Sequence, residues 1–395
     1  MSDQVSNSDL AVASSASPAA APQPSSWLML FRSTGGLLLA IAIIWCMFFI
    51  LTDGIFLSDR NIINLMRQTS ITAIVAMGML VVIAQGEIDL SVGSFMGLTA
   101  TVIALVESSG AFPPAVTILA ALVMGVLLGL WNGTWVARLG VPAFVATLGG
   151  MLAFRGASLA VSGGRTISGI RDEIRFFGEA FITGPPLWIF LALAFVMALL
   201  PLRHIGDPAR QKQALITVAL AVAGVVILAW TTLSYRGLPM PVAITLVIAV
   251  LMSLALRNLV WGRHVYAIGG NRAAARVAGI NVARQIIIGY VIIGVLTAIG
   301  AILFVGRLGA APPETGYFVE LSAISAVVIG GASLYGGSGT IPGVLLGALL
   351  MQSLSNGLSL LNVPSAYQNI TSGLVLMLAV YLDSVSKRGG RPFVR

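Results

Sequence analysis

Lysine is nearly absent from this chain, with Lys212 and Lys387 the only two among 395 residues. A phosphate-cradling Walker loop needs a lysine in a glycine-rich setting, and neither stands in one, so the chain has no nucleotide-hydrolysing loop of that kind. Histidine is as scarce. His204 and His264 fall in different loops and no ligand cluster accompanies them, which argues against a metal site. Cys46 is the single cysteine, so no intramolecular disulfide forms. Charge is short too. Only 9% of residues are charged, where a soluble domain carries about a quarter, and 57% are hydrophobic, with a mean hydropathy of +0.97. These values place the chain in a membrane. The net charge of +8 then reflects a bias of the loops toward one side and not nucleic-acid binding.

Residues 1–26 are rich in Ser, Ala, Pro and Gln, lack apolar periodicity and contain no basic residue. They are expected to be a disordered cytoplasmic tail and not a signal peptide, which puts basic residues before its apolar core. Residues 27–385 form the membrane domain, and 386–395 are a basic cytoplasmic tail. Twelve apolar runs are expected to span: 35–52, 69–85, 93–107, 115–135, 143–161, 187–202, 214–234, 241–257, 286–305, 320–332, 341–360 and 366–382. Several fall short of the roughly 20 residues of a simple span, which suggests broken helices covered by protein or lining water. With both termini inside, fourteen basic residues fall on the cytoplasmic side and seven outside, as the positive-inside rule requires.

A repeat runs through this layout. Gly125–Gly129 reads GVLLG and is followed by Asn132-Gly133 and Val141-Pro142. Gly343–Gly347 reads GVLLG again and is followed by Asn356-Gly357 and Val363-Pro364. In the charge-derived topology the two units run in opposite directions, as an inverted repeat does. Each GVLLG, like Gly93–Gly97 (GSFMG), is also a GxxxG pattern that lets helices approach closely.

Polar residues among the apolar runs mark the candidate path. Glu87, Asp89 and Ser91 lie in GEIDLSVGS between the second and third runs. Asp89 and Ser91 can cap the third helix, while Glu87 pairs with a cation or faces a cavity. A cap plus a solvated acid is the plainer reading. Arg155 sits inside the fifth run and must pair, line water or snorkel to the interface. Glu87 and Asp89 are its candidate partners. Gln352, Ser355 and Asn356 recur at helical spacing, with Asn132 in the matching repeat position. They offer either a polar face to a passing solute or hydrogen bonds between helices.

The longest polar stretch between apolar runs is Gly262–Arg284, which has four arginines and no acid. Asn271 is a good N-cap, RAAARVA a good helix former and Gly279 a good terminator, so a short helix is expected outside the bilayer. Arg272 and Arg276 share one of its faces. A solvated connector is the alternative.

GRHVYAIGGNRAAARVAGI closely resembles the cytoplasmic coupling loop of bacterial ABC permeases for monosaccharides, the family of the ribose and xylose permeases. GEIDLSVGS, LGGMLAFRG (148–156), RTISG (165–169), VIGGASLYGGSGTIPGVLLGALL (328–350) and LAVYLDS (378–384) extend the resemblance over most of the chain. The resemblance implies an all-α polytopic permease of about 12 transmembrane helices with an inverted repeat, ribose-permease-like, in the bacterial inner membrane. It implies a non-catalytic subunit, working as a homodimer or occasionally a heterodimer, that binds no cofactor of its own. A cytoplasmic ABC ATPase would use the ATP, and a periplasmic sugar-binding protein would deliver the sugar. The path would include Glu87, Asp89, Ser91, Asn132, Arg155, Gln352 and Asn356, and the ATPase would be coupled through Asn271, Arg272, Arg276 and Gly279.

One departure from the ribose type is a two-crossing insertion over residues 203–240, a layout that resembles the xylose permeases and makes D-xylose the first substrate expectation. The VSGGR at 161–165 only superficially matches an ATPase signature and reads as a turn. A secondary transporter driven by an ion gradient is the alternative function. Its usual two-halves form places a long loop near the middle and a basic loop after the second span. Here the loop after the second span is acidic and the long loop follows the eighth. A non-transporting scaffold is disfavoured by the repeat and by the polar residues within spans.

Overall fold

A computed structural model describes residues 34–199, 202 and 208–387. The expected N-terminal tail, nearly all of the basic C-terminal tail and positions 203–207 lie outside the described residues. In chain order the helices are α1 (Thr34–Leu51), α2 (Asp59–Ala84), α3 (Val92–Ser109), α4 (Pro114–Ala137), α5 (Ala143–Ser162), α6 (Asp172–Glu179), α7 (Pro185–Leu199) and α8 (Pro208–Ser234). They continue with α9 (Met240–Asn258), α10 (Val260–Gly270), α11 (Arg272–Val277), α12 (Val282–Leu308), α13 (Val319–Ile329), α14 (Ile341–Leu360) and α15 (Ser365–Lys387). Each of the twelve expected runs corresponds to one of these helices. Among the described residues seven helices, α2, α3, α4, α5, α9, α12 and α14, are long and apolar enough to cross a membrane.

Helix α13 corrects the expected tenth span. It has 11 residues, roughly 16 Å at 1.5 Å per residue, about half of a 30 Å hydrocarbon layer. The chain leaves the helix at Gly330-Gly331 and runs without helix to Thr340, where the Thr340 side chain caps α14 by accepting from the Gly343 N–H. Helix α2 differs in the other direction, beginning at Asp59, ten residues before the expected run. Its first turns are polar because Asn61, Asn64 and Arg67 each have a partner in another element.

From Ile74 to Ala84 the apolar side chains of α2 are fully buried. A helix apolar on all sides belongs at the centre of a bundle, and α2 packs there against α12. Around this pair the expected repeat is visible in the contacts. Helix α4 packs on α12 as α14 packs on α2; α3 packs on α12 as α13 packs on α2; α3 meets α5 as α13 meets α15. The repeat is therefore α2–α5 against α12–α15.

The two GVLLG segments occupy equivalent helices but serve different neighbours. In α4 a Cβ at Gly129 would lie 2.4 Å from the Tyr290 carbonyl oxygen of α12, whereas in α14 one at Gly347 would lie 2.0 Å from the Ala326 carbonyl oxygen of α13. GSFMG does not bring two helices together at all. Gly93 and Gly97 make room for the non-helical backbone at Thr315-Gly316 and for the Glu320 carboxyl. The residues read as an insertion include α8, which packs on α7 and α2 and returns through the two-residue pairing of Phe181 and Ile182 with Pro239 and Leu238. A matching pair, Ile167 and Ser168 with Ala311 and Ala310, ties the RTISG segment to the loop after α12.

Candidate functional site

The turn between α2 and α3 is built by local rules. Gly86 takes φ +81°, its N–H bonds the Ile83 carbonyl, and the next N–H, of Glu87, reaches back to the Val82 carbonyl. This is the Schellman closure, which needs a residue free to adopt positive φ. The chain then folds around Asp89, whose Oδ1 accepts from the Ser91 N–H at 2.8 Å and from the Ser91 hydroxyl at 2.6 Å. Ser91 stands at the N-cap of α3 but makes no side-chain cap. Its hydroxyl serves Asp89 and accepts from Asn132 of α4 at 2.7 Å, so neither residue caps α3 as expected, and Asp89 instead closes a local turn on Ser91.

Tyr290 of α12 donates to the Ile88 carbonyl at 3.2 Å, and the Thr147 hydroxyl of α5 reaches the same carbonyl at 3.5 Å. Asp89, Ser91 and Asn132 are all buried. Burial pushes the Asp89 carboxyl, in the linker between α2 and α3, above its ordinary range, while the hydrogen bonds from Ser91 and Asn132 pull it down.

Onto this turn comes the short helix α11. Its caps are those expected: the Asn271 side chain accepts from the Ala274 N–H at 3.0 Å, and Gly279 takes φ +82°. The Arg272 guanidinium forms an ion pair with Glu87, so Glu87 does pair with a cation, and Arg272 points inward. Arg276 stays exposed. An open groove of about 440 Å³ separates α11 and the start of α12 from the 136–143 segment, and Glu87, Arg272, Arg276 and Asn281 give its polar lining. At the end of α11, Val277 is 91% exposed, the most exposed large apolar side chain among the described residues. Sequence reasoning passed over Val277, although an apolar residue in a two-turn polar helix was the available signal.

The remaining path candidates lie elsewhere. Arg155 pairs with neither Glu87 nor Asp89. Its Nη1 donates to the Thr315 carbonyl at 3.1 Å, and its guanidinium carbon lies 3.9 Å from the Tyr317 ring centroid. Gln352 donates to the Thr72 hydroxyl at 2.6 Å, and Asn356 exchanges hydrogen bonds with Asn61 at 2.9 and 3.1 Å. Both tie α14 to α2, so here the interhelical reading holds. Ser355 has no described side-chain hydrogen bond.

Sequence reasoning also missed a second pair of acid and arginine. Glu107, at the far end of α3, receives Arg171 through two bonds of 2.8 and 2.9 Å and a third from the Thr117 hydroxyl. Glu107 and Arg171 are 64 positions apart, and no local pattern joins them.

A broken, inverted-repeat bundle with a capped helical loop tied to an interior polar turn defines a polytopic transport permease. The chain belongs to the family described as branched-chain amino acid transport system / permease component, whose family model matches residues 61–380. It is 43% identical over 364 residues to the xylose transport system permease protein XylH of Haemophilus influenzae, covering 89% of this chain and 96% of that one. It is 43% identical over 359 residues to XylH of Escherichia coli K12, covering 88% and 91%. With the ribose import permease protein RbsC of Escherichia coli K12 the identity is 36% over 359 residues, covering 91% and 94%. No solved structure matches the chain.

Proposed function

We propose that this permease is the membrane subunit of an ATP-driven importer that carries D-xylose across the bacterial inner membrane, as a homodimer with both termini in the cytoplasm. A separate ABC ATPase would supply the energy and a periplasmic binding protein the sugar, and this chain would bind no cofactor. The substrate rests on the names of the relatives at 43% identity. The energy source rests on one observation, that α11 presents Val277 and Arg276 outward while Arg272 holds the turn through Glu87. A helix of two turns is marginal alone and is suited to receive a partner.

The test is uptake into proteoliposomes holding the permease, its ATPase and its binding protein. Xylose accumulates only with ATP inside the ATPase compartment and is unaffected by ionophores. Accumulation that needs an ion gradient and no ATPase would make this a secondary transporter. Orientation is tested separately, with Cys46 replaced by Ser. A cysteine at exposed Gly270 reacts with an impermeant thiol reagent only from the cytoplasmic side, and one at exposed Thr166 only from outside. The reverse pattern overturns the topology.

A further inference from the structure

Helix α5 carries its arginine on a half-open surface, where among the described residues it makes no direct ion pair. In hydrocarbon a guanidinium is so costly that a spanning helix turns it toward protein or water. Among the described residues Arg155 makes one hydrogen bond, through Nη1 to the Thr315 carbonyl, and its Nε and Nη2 are not sealed away from the surface. Stacking on Tyr317 holds the guanidinium plane and leaves the in-plane N–H donors available. Beside it Tyr317 and Phe318 stand 49% and 46% exposed, with ring centroids 6.1 Å apart.

The loop that carries these rings is fixed. Thr315 is buried and bonds Pro312 through both its N–H and its hydroxyl, the Tyr317 N–H bonds the Glu314 carbonyl, and Phe318 is held at φ +59°. Underneath, Gly93 and Gly97 of α3 have no side chain to keep the Thr315-Gly316 backbone away. The donors and the aromatic surface are thus preorganised. The Glu320 carboxyl lies over Gly93 and the Arg155 guanidinium over Gly97, one turn apart on α3, so an acid stands beside the donors, which favours an uncharged ligand over an anion.

We infer that Arg155, Tyr317 and Phe318 form a sugar-contacting station on the path, where the guanidinium donates to neighbouring hydroxyls of a neutral pentose and the exposed rings receive its C–H face. The station rests on the proposed transport of xylose and names residues that would touch it.

The experiment uses the complex of permease, ATPase and binding protein in proteoliposomes and reads xylose moved per ATP hydrolysed. If the wild-type complex moves no xylose with ATP, the proposed function fails and not the station. Given wild-type transport, Arg155→Gln and Tyr317→Leu lower the ratio about tenfold, as expected for losing a hydrogen bond to a charged group or its support. Arg155→Lys, which keeps the charge and loses the planar fork, falls between. Ratios at the wild-type value in all three variants overturn the station. So does failure of all three to assemble or to hydrolyse ATP, because the cluster would then serve subunit packing or motion.

Discussion

Two pairs of acid and arginine sit at opposite ends of α3, and they are built differently. Glu107 is completely buried and held in a two-point grip by Arg171, with Thr117 as a third donor and the Phe112 carbonyl taking a further bond from Arg171. Glu87 is held by a single guanidinium nitrogen of Arg272, whose side chain is 43% exposed. The first pair joins segments that the fold keeps together, the end of α3 and the approach to α6. The second joins a buried turn to a short helix whose one buried residue is Ala275. A many-pointed buried pair is costly to open, while a single-point pair beside water opens at little cost. The comparison teaches that one end of α3 is anchored and the other is latched.

The largest stability effect is expected where the anchor breaks. Glu107→Ala leaves Arg171 and the Thr117 hydroxyl without their acceptor, and the loss is about 2 kcal/mol, below the full cost of a sealed pair because Arg171 is itself 30% exposed. Thermal unfolding of the purified permease in detergent measures it. A melting temperature equal to wild type would show that the grip contributes nothing, and the contrast with Glu87 would disappear.

How far these features can be read from sequence follows from the distance over which each is determined. The caps of α11 are local, since Asn271 reaches the N–H three residues on and Gly279 needs only its own φ, and both are legible. The partner of Arg272 lies 185 positions away and that of Arg155 lies 160 away, so neither leaves a mark in a window of sequence. The half-length of α13 was hidden because its apolar run continues through Gly330 and Gly331, and glycine in an apolar run also fits an unbroken span. The start of α2 was hidden for the opposite reason, because Asn61, Asn64 and Arg67 look like loop until their distant partners are known. GVLLG identified the equivalent helices α4 and α14 although their glycines meet different neighbours.

Between anchor and latch stands Asp89, which organises the turn that the latch holds. Asp89→Ala removes the acceptor for the Ser91 N–H and hydroxyl and costs about 1 kcal/mol, the value of a lost hydrogen bond. Because Asn132 loses its ordered partner as well, uptake is expected to fall more than folded yield. Wild-type uptake would leave Asp89 as the former of a local turn and nothing more.

The sharpest test of the comparison belongs to the latch. Arg272→Glu faces a nearly buried Glu87 with its own sign, but the position it occupies is 43% exposed and the new side chain can turn to water, so it costs about 1 kcal/mol of folding stability. The latch, however, is the direct ionic link between α11 and a turn that reaches α4, α5 and α12 through Asn132, Thr147 and Tyr290. If motion passes through that turn, binding-protein-stimulated ATP hydrolysis falls about tenfold when a link worth about 1.4 kcal/mol in the driven state is cut. The exchange Glu87→Arg with Arg272→Glu restores the attraction and recovers most of the loss, a result that general damage would not produce. Arg276→Glu is the control on the outward side. It lines the same groove as Glu87 and Arg272, but among the described residues the ion pair of Glu87 is with Arg272, so this variant weakens co-purification with the ATPase, and no change at Glu87 rescues it. Rescue of Arg276→Glu by Glu87→Arg, or failure of the exchange while both single variants remain folded, would place the link between helix and turn somewhere other than this pair.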